Sequence, residues 1–179
     1  MASTCGPESA PIGDVGTALM VIDSRLKSVY EGRAGSDARQ QALVSQVTAS
    51  LGPSGLAELV DGTCTVIYLY MTWLKAACED HDRDVVEHVV PALVGTMRMM
   101  PRTFSPEVIP TMAGLLVAAG TGLSPNLWRA QYGPWTRAEM NPLEALAVMT
   151  AEHVNRVAGD DQDFATRLIG DALARMDED

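Results

Sequence analysis

Lysine is almost missing from this 179-residue chain: of its 13 basic residues only Lys27 and Lys75 are lysines, against 23 acidic residues and a formal net charge of -10. Proteins that bind nucleic acids or anionic membranes do so with clustered basic side chains that neutralise phosphates. No segment of this acidic chain carries such a cluster. Neither a nucleic acid nor a membrane surface is therefore an expected partner.

Cysteine is also scarce, and Cys5, Cys64 and Cys78 form neither an even set nor a Cys-x-x-Cys pair. Disulfide frameworks belong to oxidising compartments, so we expect free thiols and a cytoplasmic location. The most apolar stretch, residues 62–78, contains one charge at Lys75 and at 17 residues is short for a membrane span. A helix that is apolar nearly all round is more typical of the buried centre of a bundle.

Aromatic residues make up only 5% of the chain, whereas hydrophobic residues make up 47%. The core must therefore be aliphatic and methionine-rich. Apolar residues recur at spacings of three and four, and no stretch shows the alternation of a strand. These patterns predict an all-α fold, a compact bundle of six to eight helices around a buried central apolar helix, in which residues 1–13 are a disordered leader and residues 14–179 a single domain.

Capping residues predict where several helices begin. Asp82 or Asp84 is expected to start the helix after the central one, and Asp160 or Asp161 the last helix. Three further starts share a capping side chain followed by a proline in the first turn, where the missing N–H costs no hydrogen bond. They are Ser105-Pro106, Ser124-Pro125 and Asn141-Pro142, the last with Glu144 completing a capping box.

The densest polar cluster includes His81, Asp84 and His88. Spacings of three and four place these side chains along one helical face, where imidazole and carboxylate groups can ligate a divalent metal. The pair His81-Asp82 resembles the centre of HD-type metal phosphohydrolases, but those enzymes need further ligands and this chain has no histidine before His81. The alternative interpretation is a solvated turn whose acids cap the following helix.

Motifs for other chemistry are missing. The chain has no Gly-x-Ser-x-Gly elbow and no glycine-rich loop ending in Lys-Ser or Lys-Thr. No cofactor is therefore predicted, and an enzyme is less expected than a binding protein.

Two apolar features remain as candidate binding sites. Trp128, Tyr132 and Trp135 are spaced four and three apart and are expected to form one aromatic face of a short helix, either as a plug at the end of the bundle or as a partner surface. Met99, the one methionine of its segment off the predicted core stripe, can border a groove with Arg98 and Arg102 if exposed.

Three functions follow from these features. The leading hypothesis is a non-enzymatic protein that binds a partner protein or an apolar small molecule at Trp128, Tyr132, Trp135 and Met99. The first alternative is a metal-dependent, hydrolase-like enzyme with His81, Asp84 and His88 as ligands. The second is a self-associating bundle, a homodimer with the first or the last helix at its two-fold interface.

Overall fold

The structure, a computed structural model, describes residues 12–32 and 38–178, without the side chains of 38–41, 43, 44 and 48. These residues form helices joined by turns and contain no strand. The helices are α1 (Val15–Tyr30), α2 (Ala38–Glu79), α3 (Val85–Arg98), α4 (Ile109–Gly120), α5 (Pro125–Ala130), α6 (Arg137–Val157) and α7 (Phe164–Met176). A kink at Gly52, with φ of 66°, divides α2 into two segments. The predicted all-α bundle is confirmed.

Helix α2 is the centre of the bundle, because each of the other six helices contacts it. Its second segment buries Cys64, Ile67, Tyr70 and Leu74 completely. The helix is continuous through Gly62. The central apolar helix expected from the sequence is therefore present, and the other helices surround it.

The chain enters α1 by crossing α2 at very short range. The Asp14 N–H donates to the Glu58 carbonyl at 2.8 Å, and the Thr65 hydroxyl donates to the Ile12 carbonyl at 2.6 Å. A Cβ on Gly62 would lie 2.3 Å from the Asp14 carbonyl oxygen, so only glycine allows this approach. Residues 12 and 13 of the predicted leader thus lie against α2, and residues 1–11 fall outside the described chain.

Two helix starts occur where capping chemistry placed them. The Asp84 carboxylate accepts hydrogen bonds from the N–H groups of Val86 and Glu87 at the start of α3. The Ser124 hydroxyl accepts one from the Leu127 N–H at the start of α5. Both predictions are confirmed because a cap depends on local chemistry alone.

Three starts differ from expectation. Residues 105–108 form a turn, and α4 begins only at Ile109, with a proline in its first turn. The predicted start at Asn141 is wrong, because α6 begins five residues earlier behind a Thr136–Glu139 capping box that satisfies two backbone donors. The last helix is preceded by Asp163 and not by Asp160 or Asp161.

Candidate functional site

The predicted aromatic cluster is built around the short helix α5. Its side chain Trp128 lies against α4 at Gly114, where an added Cβ would come within 2.8 Å of the indole ring. Glycine at this position lets the ring pack directly on the helix backbone. The far side of α5 is tied to α2, since the Asn126 amide donates to the Asp61 carbonyl at 3.2 Å. Both contacts restrict how α5 can move.

Tyr132 and Trp128 form a pair of rings at the surface. Their centroids are 5.2 Å apart and their planes are tilted by 52°, a favourable geometry for two aromatic rings. Tyr132 is 67% exposed, and Trp128 is half-buried. Val117, one turn after Gly114 on α4, and Leu123, just before α5, are also exposed. We call Val117, Leu123, Trp128 and Tyr132 the Tyr132 surface.

Trp135 does not join this pair of rings. The helix ends at Ala130, and Gly133 takes a φ of 94°, which redirects the chain. The Trp135 ring lies under the Arg129 guanidinium, whose Cζ is 4.1 Å from the ring centroid. The structure therefore brings together two of the three predicted aromatics and uses the third to cover a buried charge.

Arg129 is that buried charge, and sequence reasoning missed it. Its guanidinium contacts both Glu139 carboxylate oxygens, at 3.0 and 2.7 Å, and donates to the carbonyls of Gly133 and Pro134 at 3.0 and 2.8 Å. Desolvation raises the pKa of Glu139, but hydrogen bonds from Arg129 and Thr136 outweigh it and lower the pKa overall. The usable signal was Thr136-x-x-Glu139, a capping box that fixes the acid's position.

Of the predicted metal ligands, His81 and Asp84 lie on the turn between α2 and α3, and His88 lies in the first turn of α3. His81, Asp84 and His88 are all exposed. The Asp84 carboxylate is used as the helix cap, accepting from the Val86 N–H at 2.7 Å. Across residues 12–32 and 38–178, no three histidine, cysteine, aspartate or glutamate side chains are arranged to hold a metal ion. Asp84 therefore caps the helix that follows the turn, as the alternative interpretation predicts.

No family model, curated protein or solved structure is significantly similar to this chain. Within the described helices, none is long and apolar enough to cross a membrane. Any function must therefore be inferred from the surface features of this chain.

Met99 lies on a different part of that surface. It follows the last residue of α3 and is 76% exposed, between the exposed side chains of Arg98 and Arg102. Helix α5, which carries Trp128, packs against α2 and α4. Met99 is thus exposed, as its position off the core stripe indicated, but it lies at the end of α3 and not on the Tyr132 surface.

Proposed function

We propose that this chain is a non-enzymatic binding protein that holds a partner protein on the Tyr132 surface. The observation that carries the proposal is the exposed ring of Tyr132, supported from below by Trp128. Tyrosine and tryptophan dominate the energetics of protein interfaces because they offer a large apolar area with a polar group at the edge. A partner segment with apolar side chains suits this surface.

The support beneath the rings favours binding. Trp128 is seated on Gly114, and α5 is held to α2 through Asn126. Below them, Arg129 holds the chain after α5 through its bonds to the carbonyls of Gly133 and Pro134. A surface that is already rigid loses little conformational entropy when a partner binds, so more of the contact energy appears as affinity.

A partner protein suits the geometry better than an apolar small molecule does. Tyr132 stands out from the surface at 67% exposure, whereas ligand sites enclose most of a small ligand. A cleft of about 260 Å³ between the ends of α2 and α4 and the start of α3 is lined by four charged residues, Lys75, Glu79, Arg83 and Asp84, beside Val85 and Val86. Such a lining is poorly matched to an apolar molecule.

We also propose that the protein is located in the cytoplasm. Cys64 and Cys78 are free thiols, as a reducing compartment would keep them. Burial raises the pKa of the Cys64 thiol, so it remains protonated and unreactive there. Cys64 is accordingly a core residue and not a nucleophile.

Site-specific photo-crosslinking tests the surface. Benzoylphenylalanine replaces Tyr132 in one full-length chain and, as a control, the exposed Arg175 of α7 in another. The proposal requires a discrete adduct with a cellular protein from position 132 that does not form from position 175. The captured protein is then purified and its affinity for the unmodified chain is measured by calorimetry.

The affinity measurement decides the matter. Tyr132→Ala should weaken binding about thirtyfold, the effect of losing a contact of roughly 2 kcal/mol at an interface hot spot. Gln131→Ala, a change at the exposed neighbouring residue, should leave the affinity within about twofold. Unchanged thermal unfolding of both variants controls for the fold. If no adduct is specific to position 132, or if Tyr132→Ala binds as tightly as the parent, the proposal is wrong.

A further inference from the structure

The outer face of α3 is open along its whole length. Helix α3 packs on α2 and α4 through Val89, Val90, Leu93 and Met97. On its opposite side a Cβ added at Gly95 would meet nothing within 4 Å. The other residues of this outer face are exposed: Glu87, His88, Pro91, Ala92, Arg98 and Met99.

The two ends of this face carry opposite charges. Glu87 is in the first turn of α3 and Arg98 is its last residue. Eleven residues are close to three full turns, so the two side chains lie on the same side of the helix, roughly 16 Å apart along its axis. Within the described chain, neither of them forms an ion pair. Each is available to an external charge.

A second pair has the same spacing on the other side of the face. His88 and Met99 are also eleven residues apart, and both are exposed. Pro91 and Gly95 lie between the two pairs, near the middle of the helix. A two-fold axis perpendicular to α3 at this level would place a second, antiparallel α3 against the first. In that arrangement each side of the face lies opposite the same side of the other copy. Glu87 of one copy would then meet Arg98 of the other, and His88 would meet Met99.

We propose that the outer face of α3 is a dimer interface that binds a second copy of this chain. Its side chains are complementary to themselves under a two-fold operation, which is the requirement for an isologous contact. Two ion pairs between Glu87 and Arg98 and two contacts between Met99 and the His88 ring form the edges. The missing side chain of Gly95 lets the helices approach at the centre.

Electrostatics favour a second copy at this face. Two chains of net charge -10 repel each other, so a self-contact is favoured only where acids meet bases. The acid at one end of α3 and the base at the other satisfy that condition in the antiparallel arrangement alone. A parallel arrangement would gather both Glu87 side chains at one end of the contact and both Arg98 side chains at the other, and is disfavoured.

The contact is small. Helix α3 has 14 residues and is therefore roughly 21 Å long, and one helical face covers less than the approximately 800 Å² per partner of a standard interface. We therefore expect a weak, reversible dimer whose dissociation constant rises with salt concentration, because its ion pairs are at the exposed edges. The interface is independent of the Tyr132 surface, which belongs to α4 and α5.

Charge reversal tests the interface. Sedimentation equilibrium of the full chain at low salt, from micromolar to millimolar concentration, should show a monomer–dimer equilibrium. Glu87→Arg and Arg98→Glu should each raise the dissociation constant about tenfold or more, because each replaces two attractions by two repulsions. The double variant E87R/R98E reverses both charges and should recover the original constant to within about threefold.

Matched controls lie on α7, where Asp171 and Arg175 are both exposed. Asp171→Arg and Arg175→Glu make the same charge changes away from α3 and should each change the dissociation constant by less than about threefold. Circular dichroism of all variants shows whether the helices are retained. A chain that stays monomeric at millimolar concentration, single α3 variants that dimerise like the parent, or a double variant no better than the singles would each overturn the proposal.

Discussion

Gly62→Ala should destabilise the protein even though alanine is the better helix former. An alanine Cβ would lie 2.3 Å from the Asp14 carbonyl oxygen and 2.9 Å from the Val15 nitrogen, both backbone atoms. The start of α1 would have to move about 1 Å to reach ordinary contact distances. That movement disrupts the Asp14 to Glu58 hydrogen bond, of 2.8 Å, and the Thr65 to Ile12 hydrogen bond, of 2.6 Å.

The size of the effect follows from these contacts. Two hydrogen bonds contribute about 2 kcal/mol together, and overpacking costs about 1 to 3 kcal/mol. The higher helix propensity of alanine returns about 1 kcal/mol. We expect a net loss of about 2 to 4 kcal/mol in the free energy of unfolding, measured by urea denaturation, and a fall in Tm of roughly 5 to 15 °C.

Gly170→Ala provides the matched control. Gly170 also lies inside a helix, but an added Cβ there would meet nothing within 4 Å. The same substitution should therefore stabilise the protein by about 0.5 to 1 kcal/mol. If Gly62→Ala leaves the free energy of unfolding unchanged or raises it, the close crossing of α1 and α2 is wrong.

Three further predictions concern single side chains. Arg129→Met should lower the free energy of unfolding, measured by urea denaturation, by about 3 to 5 kcal/mol, because it leaves the Glu139 carboxylate without its buried partner. A loss under about 1 kcal/mol would contradict this prediction. Asp84→Ala should lower the free energy of unfolding by about 1 kcal/mol, measured by thermal unfolding, through the lost cap of α3. Asp80→Ala, which changes another exposed acid of the same turn, should cost less. Burial, with a smaller contribution from Arg156, lowers the pKa of His153 below its ordinary value of about 6.5. The unfolded chain then binds the proton more readily, so stability should fall as pH drops below about 6.5, and His153→Gln should flatten that slope. An unchanged slope in the variant would exclude His153 as its source.

Local chemistry was predictable from the sequence, and long-range contacts were not. Asp84 and Ser124 could be assigned as caps because each bonds to the backbone two or three residues on. Asn141 failed because another cap, Thr136, starts the same helix earlier, and a proline within the helix costs a bond that surrounding packing can offset. Nothing in the local pattern of Gly62 indicates that α1 crosses there.

The candidate site shows the same division. The spacing of Trp128 and Tyr132 predicted that they share a side, and the structure places their rings together. The spacing alone does not show whether that side faces the core or the solvent, because this depends on where the neighbouring helices pack. The fate of Trp135 depended on Arg129, whose burial arises from the turn at Gly133 and the start of α6.

The position of α2 limits how this sequence can change. A residue such as Ile67 or Tyr70 is completely buried in the helix that all the others contact, so a replacement there must fit several neighbours at once. Accepted changes on α2 should therefore occur in coordinated sets, with compensating substitutions on different helices. Exposed residues on α7, such as Asp171 and Arg175, are free of that coupling and can diverge one at a time.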